Sequence, residues 1–139
     1  GALVGWQGRA TSDGSPLKYF NVPGMRKSQV LYNYDRAQEQ PYVVVVEGVP
    51  SVWRIGPAGV CLFGKTMSLF QETTISTTWS YKPVVLMLDN DAREQMIDAE
   101  KRLRARGVDV RPIYLPDSRD PADYSAGELQ DMIAQEVKK

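Results

Sequence analysis

Apolar residues fall along this chain in two rhythms, and the switch between them marks its elements. Val43 to Val46 is an unbroken β-branched run, and Val84 to Leu88 is an unbroken aliphatic one. Runs of this kind suit strands buried on both faces of a parallel sheet. Val60-Cys61-Leu62-Phe63 is a third short run, and residues 108–115 supply a fourth. Helical spacing separates them. Over residues 91–106, Ala92, Met96, Ala99 and Leu103 recur at four, three and four positions, with Gly107 placed to close the helix. A last amphipathic stretch from about Ser125 carries Leu129, Met132, Ile133 and Val137. Residues 51–55 suit a short helix with Val52 and Ile55 inward, and residues 28–38 a helix with Leu31, Tyr34 and Ala37 on one face. Residues 67–81 read two ways, because 68–72 suits a helix while the threonines of 73–78 favour a strand. Residues 1–10 and 17–20 flank the turn signal Thr11-Ser12-Asp13-Gly14-Ser15-Pro16 and predict a hairpin. Trp6 and Trp53 are expected in the core. The alternation predicts an α/β fold, a roughly four-stranded parallel sheet covered by helices, behind a small N-terminal β element.

Composition narrows the chemistry. A chain of 139 residues fits one domain with a real core. Lys plus Arg and Asp plus Glu are both 17, so the distribution of charge matters more than its sum. Histidine is absent, which removes histidine bases, Ser-His-Asp triads and histidine metal ligands. Cys61 is the sole cysteine, so an internal disulfide and a zinc ribbon are excluded and a small buried hydrophobe is expected. No stretch reads as a targeting or membrane-spanning segment; a soluble, cytoplasmic protein without membrane partners is expected, read as a piece of a longer one.

Both long strands end in acid: Glu47-Gly48 after the first, Asp89-Asn90-Asp91 after the second. Parallel strands deliver their carboxyl ends to one rim of a sheet, where ligands bind. Three carboxylates gathered there repel unless a cation lies among them, and Mg²⁺ with its preference for oxygen ligands answers that need. The competing reading makes Asp91 a helix N-cap. A Mg²⁺ site would point to phosphate chemistry. Gly59 to Thr66 fits the spacing G-x-x-x-x-G-K-[ST], but its interior is Val-Cys-Leu-Phe and no apolar strand precedes it, so it reads as a strand rather than a phosphate-binding loop. Lys65 then sits at the strand exit, either touching phosphate or simply solvated. Arg9, Lys18, Tyr19, Asn21, Arg26 and Lys27 form a basic and aromatic segment, which suits phosphates and bases or an ordinary hydrophilic hairpin. Lys101 to Arg106 lies at a helix C-terminus, where cations are structural.

The order of several segments resembles the Toprim domain, most closely the catalytic core of bacterial and phage DnaG-type DNA primases. Gly5-Trp6-Gln7-Gly8-Arg9 is similar to that family's G-F-G-G-R, Pro16-Leu17-Lys18-Tyr19-Phe20-Asn21 to its P-K-Y-L-N, and Arg26-Lys27-Ser28-Gln29-Val30-Leu31-Tyr32 to its H-K-G-R-x-L-Y. Val45-Val46-Glu47-Gly48 and Leu88-Asp89-Asn90-Asp91-Ala92 resemble the Toprim glutamate and D-x-D motifs. Leu115-Pro116-Asp117-Ser118-Arg119-Asp120-Pro121-Ala122-Asp123-Tyr124 is similar to the primase loop L-P-D-G-x-D-P-D-E-Y.

The resemblance implies a Toprim domain over residues 40–139, preceded over 1–39 by the N-terminal β element of the primase core. It implies nucleotidyl transfer that makes short RNA primers on single-stranded DNA from nucleoside triphosphates. Glu47, Asp89 and Asp91 would be catalytic metal ligands for Mg²⁺ or Mn²⁺, with Asp117 and Asp120 as further ligands and no zinc in this chain. Arg9, Lys18, Tyr19, Asn21, Lys27 and Lys65 would contact nucleotide or DNA. A replicative helicase would be met through regions outside the chain. Two departures stand out: Ser51 replaces the acid expected four residues after the glutamate, and the glycine that often follows D-x-D is missing. The alternatives are a non-catalytic metal- and DNA-binding Toprim module, or another Toprim phosphotransfer enzyme such as a nuclease.

Overall fold

The computed structural model describes residues 7–9, 19–21, 31–116 and 119–139. Strands β1 (Gln7–Arg9) and β2 (Tyr19–Asn21) pair antiparallel, as the hairpin reading requires, with Arg9 opposite Tyr19 and Gln7 opposite Asn21. Beyond helix α1 (Tyr34–Ala37) come β3 (Val43–Val46), α2 (Val49–Ile55), β4 (Gly59–Cys61), α3 (Leu69–Thr78), β5 (Val84–Leu86), α4 (Arg93–Ala105), β6 (Val110–Pro112) and α5 (Ala126–Lys138). The four later strands form a parallel sheet in the order β4-β3-β5-β6. That is the predicted α/β architecture.

Alternate strand residues feed two cores. Val43, Val45, Val60, Val84 and Leu86 pack under α1, α3 and α4, with Ile75, Trp79, Met96, Ala99 and Leu103. Val44, Val46, Cys61, Val85 and Met87 pack under α2 and α5, with Val52, Ile55, Leu129 and Ile133. Burial on both faces is why these strands read as unbroken apolar runs rather than alternating ones.

Several elements differ from the sequence reading, each for a local reason. Of the helix expected over 28–38, residues 28–30 lie outside the described residues; the described part holds the single turn of α1, since Asn33 stands in the left-handed region (φ 68°) and its amide donates to the carbonyls of Pro57 and Gly59. The ambiguous stretch resolves as one helix, α3. Ser68 and Gln71 cap it reciprocally, and Thr73 returns its hydroxyl to the Leu69 carbonyl, so the threonine run is absorbed into the helix. The fourth strand shortens to β6, which ends at Pro112, a residue with no amide for a ladder. Trp53 is not in the core; it is 55% exposed, because α2 turns Val49, Val52 and Ile55 inward and places Trp53 a further 100° around. Trp6 lies outside the described residues.

Gly59 belongs to the packing of β4 rather than to a phosphate loop. A Cβ there would meet the Val52 backbone and Ile55 at 3.3 Å, so glycine lets α2 lie close on the sheet. Val60, Cys61 and Leu62 are buried, as a strand and not a loop requires. Gly107 has φ +83° and closes α4.

Candidate metal centre

The sheet order places β3 between β4 and β5, so the chain leaves β3 in one direction and returns on its other side. The crevice at such a reversal, at the carboxyl ends of the strands, is where open α/β sheets bind ligands. Glu47 directly follows β3 and Asp89 lies three residues past β5, on the two sides of that crevice. The backbone holds this rim firmly. Leu62 N–H donates to the Val46 carbonyl at 3.0 Å, Met87 N–H to Val45 at 2.9 Å, and Gly64 N–H to Glu47 itself at 3.2 Å.

Carboxylate oxygens of Glu47, Asp89 and Asp91 all lie within 4.8 Å of one another. Oxygens on opposite sides of a hard divalent ion are separated by about 4–5 Å, so one ion can serve all three. An all-oxygen donor set without histidine or thiolate fits Mg²⁺, Mn²⁺ or Ca²⁺ chemistry rather than zinc. The capping alternative is answered by geometry. Asp89 precedes a 3₁₀ turn (Asn90–Ala92) and makes no side-chain cap there, and the N-cap position of α4 is Ala92. The carboxylates are therefore not consumed in starting the helix.

Their proximity shows in the titration of Glu47. Burial, a hydrogen bond to the Asp89 carboxyl, and the charges of Asp89 and Asp91 raise the Glu47 pKa to about 8, against a smaller opposing pull from Lys65. Lys65 Nζ lies 3.2 Å from Asp91 Oδ2, in an ion pair whose side chains are 47% and 70% exposed. Such a pair is weak and easily exchanged for another partner. Lys65 also lines an open depression of about 400 Å³ with Phe63, Gly64 and Thr66. Burial first, then the charges of Asp89 and Asp123, raise the Asp120 carboxyl above its usual range. One Asp120 oxygen accepts the Ala122 amide at 2.9 Å, capping the turn Pro121–Asp123.

The other sequence-derived residues fall elsewhere. Arg9, Tyr19 and Asn21 stand on the β1–β2 pair. Lys18, Arg26, Lys27 and Asp117 lie outside the described residues. Ser51 is 7% exposed, within the first turn of α2. Cys61 is buried, and desolvation pushes its thiol up to about 12, which suits an inert core residue. The cations of the α4 C-terminus are structural: Arg102 and Arg106 both bind Glu72, and Arg104 binds Glu100. Arg93 lies over the Tyr114 ring, 4.8 Å from its centroid.

A four-stranded parallel sheet flanked by helices, with an acid rim at its reversal, defines an α/β domain of the fold seen in DNA primase catalytic cores. In sequence too the chain is similar to a DNA primase. It is 28% identical to the DNA primase of Aquifex aeolicus (strain VF5), over 89% of this chain and 27% of that protein. The crystal structure of the Aquifex aeolicus primase, with its zinc-binding and RNA polymerase domains, superposes with a TM-score of 0.76 at 27% identity, over 97% of this chain and 37% of that one. A DnaG primase catalytic domain bound to ssDNA has the same fold, with a TM-score of 0.72 at 20% identity over 97% of this chain and 48% of that one. No protein-family model matches the chain. The chain spans about a quarter of the length of its curated relative. The resemblance to DnaG-type primases is upheld in sequence and in fold.

Proposed function

We propose that this chain is the metal-binding part of a DNA primase catalytic core, and that its rim serves nucleotidyl transfer, joining ribonucleotides into short primers on single-stranded DNA. The observation that carries the reading is the meeting of Glu47, Asp89 and Asp91 at the sheet reversal, in a chain whose curated relative is a DNA primase. The three carboxylates would hold Mg²⁺ or Mn²⁺. A divalent ion there supplies a more acidic primer 3′-hydroxyl and neutralises charge on the triphosphate.

The chain's own residues do the rest. Glu47 directly after β3 and Asp89 just beyond β5 would fix where the reacting groups meet. Lys65 can exchange the Asp91 carboxylate for a phosphate without losing a partner. Asp120 adds negative charge beside Asp89 and would steady the rim through water, with Asp117 from the same loop. Arg9, Lys18, Tyr19, Asn21 and Lys27 would hold template backbone or incoming nucleotide on the N-terminal β element. A replicative helicase and the cytoplasmic replication machinery belong to this reading through the rest of the protein. Among the described residues no helix is long and apolar enough to cross a membrane.

Ser51 favours a second reading, a Toprim module that binds metal and DNA without polymerising, because a neutral buried residue stands where the resemblance expects an acid. The test is ribonucleotide incorporation on single-stranded DNA by the full-length protein that carries this chain, in Mg²⁺ or Mn²⁺. The expected result is template-dependent primers that vanish in Asp89→Asn. Primers made equally well by Asp89→Asn would contradict the catalytic assignment, and DNA binding without synthesis in the wild type would favour the module.

A further inference from the structure

A cation stands at the acid rim, and the turn after β4 puts it there. Leu62 N–H is still bonded to the Val46 carbonyl, Phe63 adopts a left-handed backbone (φ +60°), and Gly64 N–H donates to the Glu47 carbonyl at 3.2 Å. The chain is thereby folded back on Glu47, and the next residue, Lys65, brings Nζ to 3.2 Å from Asp91 Oδ2. Its charge is felt at Glu47 as well, where it opposes the acids. The lysine is also half exposed and lines the open depression with Phe63, Gly64 and Thr66. One ammonium therefore faces both the carboxylates and a space in which a ligand can lie.

The rim is short of acid for more than one metal ion. Ser51, in the first turn of α2, is buried and neutral where the resemblance expects a carboxylate. Among the described residues, Glu47, Asp89 and Asp91 are the acids whose ligand oxygens converge. Asp120 commits an oxygen to the Ala122 amide. A second divalent ion would have to share the same three carboxylates with the first, against its charge.

We infer that the Lys65 ammonium takes the place of a second cation at this rim, so that the chain holds a single divalent ion and the lysine supplies the remaining positive charge to a polyphosphate. The inference rests on the proposed nucleotidyl transfer and states how its charge is balanced. One divalent ion and one ammonium together neutralise three carboxylates. Asp91 can serve both, because a carboxylate has two oxygens. Lys65 is a compact charge on a flexible stem, so it can turn from Asp91 to a phosphate in the depression without leaving the rim. The competing account is a merely solvated lysine, whose removal would change nothing there.

The test counts Mn²⁺ bound per chain by calorimetry and by the spin resonance of free Mn²⁺, then measures inorganic tripolyphosphate binding at one fixed, saturating Mn²⁺ concentration. Wild type is compared with Lys65→Ala, Lys65→Arg, Lys65→Glu and, as a control, Lys82→Ala, whose lysine precedes β5 and bonds the Gln38 carbonyl. The expected result is a single Mn²⁺ in the wild type and a second in Lys65→Glu. Tripolyphosphate should bind about tenfold more weakly in Lys65→Ala, and as in the wild type in Lys65→Arg and Lys82→Ala. Two Mn²⁺ ions in the wild type would overturn the inference and leave the metal reading standing. Equal tripolyphosphate affinity in Lys65→Ala and wild type would also overturn it, as would an equal loss in Lys82→Ala. No Mn²⁺ bound by the wild type would instead be the failure of the metal reading itself.

Discussion

Glu47 is the residue at which the crowding of the rim is felt most directly. Its carboxyl titrates near 4.5 when unperturbed and near 8 in the folded chain, pushed there first by burial and then by its neighbours Asp89 and Asp91. Between those values the folded chain keeps a proton that the unfolded chain has released. Stability without metal is therefore full below about pH 4.5 and is lost as pH rises through about 8. Thermal melts in chelator should show Tm falling across that window, with a flatter profile in Glu47→Gln. Mn²⁺ added near pH 8 should restore Tm, and binding near neutral pH should release a proton. A Tm that climbs across the window would contradict the shift. At this scale the three acids were legible in the sequence because each follows an apolar run, and a parallel sheet sends run ends to one edge. The exposure of Trp53 and the left-handed backbone of Phe63 were not. Trp53's exposure depends on the phase of a seven-residue helix, and Phe63's position on a backbone angle that composition does not encode.

Among the elements, α3 and α4 are joined by one buried carboxylate. Glu72, almost wholly buried, accepts Arg102 Nε at 2.5 Å and also binds Arg106, while Arg102 reaches the Met67 carbonyl at 2.7 Å. Burial pushes the Glu72 carboxyl up, but the two guanidinium hydrogen bonds outweigh it and the pKa ends below the usual range. That stabilisation is present above the unfolded value and is lost as pH falls through the lower folded one. Removing the charge with Glu72→Gln leaves two arginines facing a neutral amide and should cost roughly 1–3 kcal/mol in urea unfolding, less than a fully buried pair because both arginines are partly exposed. Mn²⁺ affinity should not change; a large loss would mean that this clamp also shapes the rim. Gly59→Ala should destabilise by about 1–3 kcal/mol, since the Val52 backbone cannot give way as a side chain could. A neutral result in the same unfolding measurement would show that α2 can lift off β4. Helix α4 was legible because Ala92, Met96, Ala99 and Leu103 keep their spacing. Helix α3 was ambiguous because threonine's strand preference and the Ser68–Gln71 cap point in opposite directions, and the cap with its tertiary packing prevails.

For the whole molecule, topology turns two separate motifs into one site. Glu47 and Asp89 are far apart along the chain, and only the order β4-β3-β5-β6 makes their strands neighbours across the reversal. The sequence alternation was enough to predict a parallel sheet, and the motif order enough to suggest its type. It could not supply the separation of the carboxylates or the Lys65–Asp91 pair, which arise from the turn after β4 folding back on Glu47. The central claim is that this rim binds a divalent cation through all three acids. Calorimetric titration of Mn²⁺ and Mg²⁺ into the wild type and Asp89→Asn, side by side, tests it most directly. The account predicts saturable binding by the wild type, weakened at least about tenfold in Asp89→Asn. Equal binding by the two proteins, or none by the wild type, would contradict it.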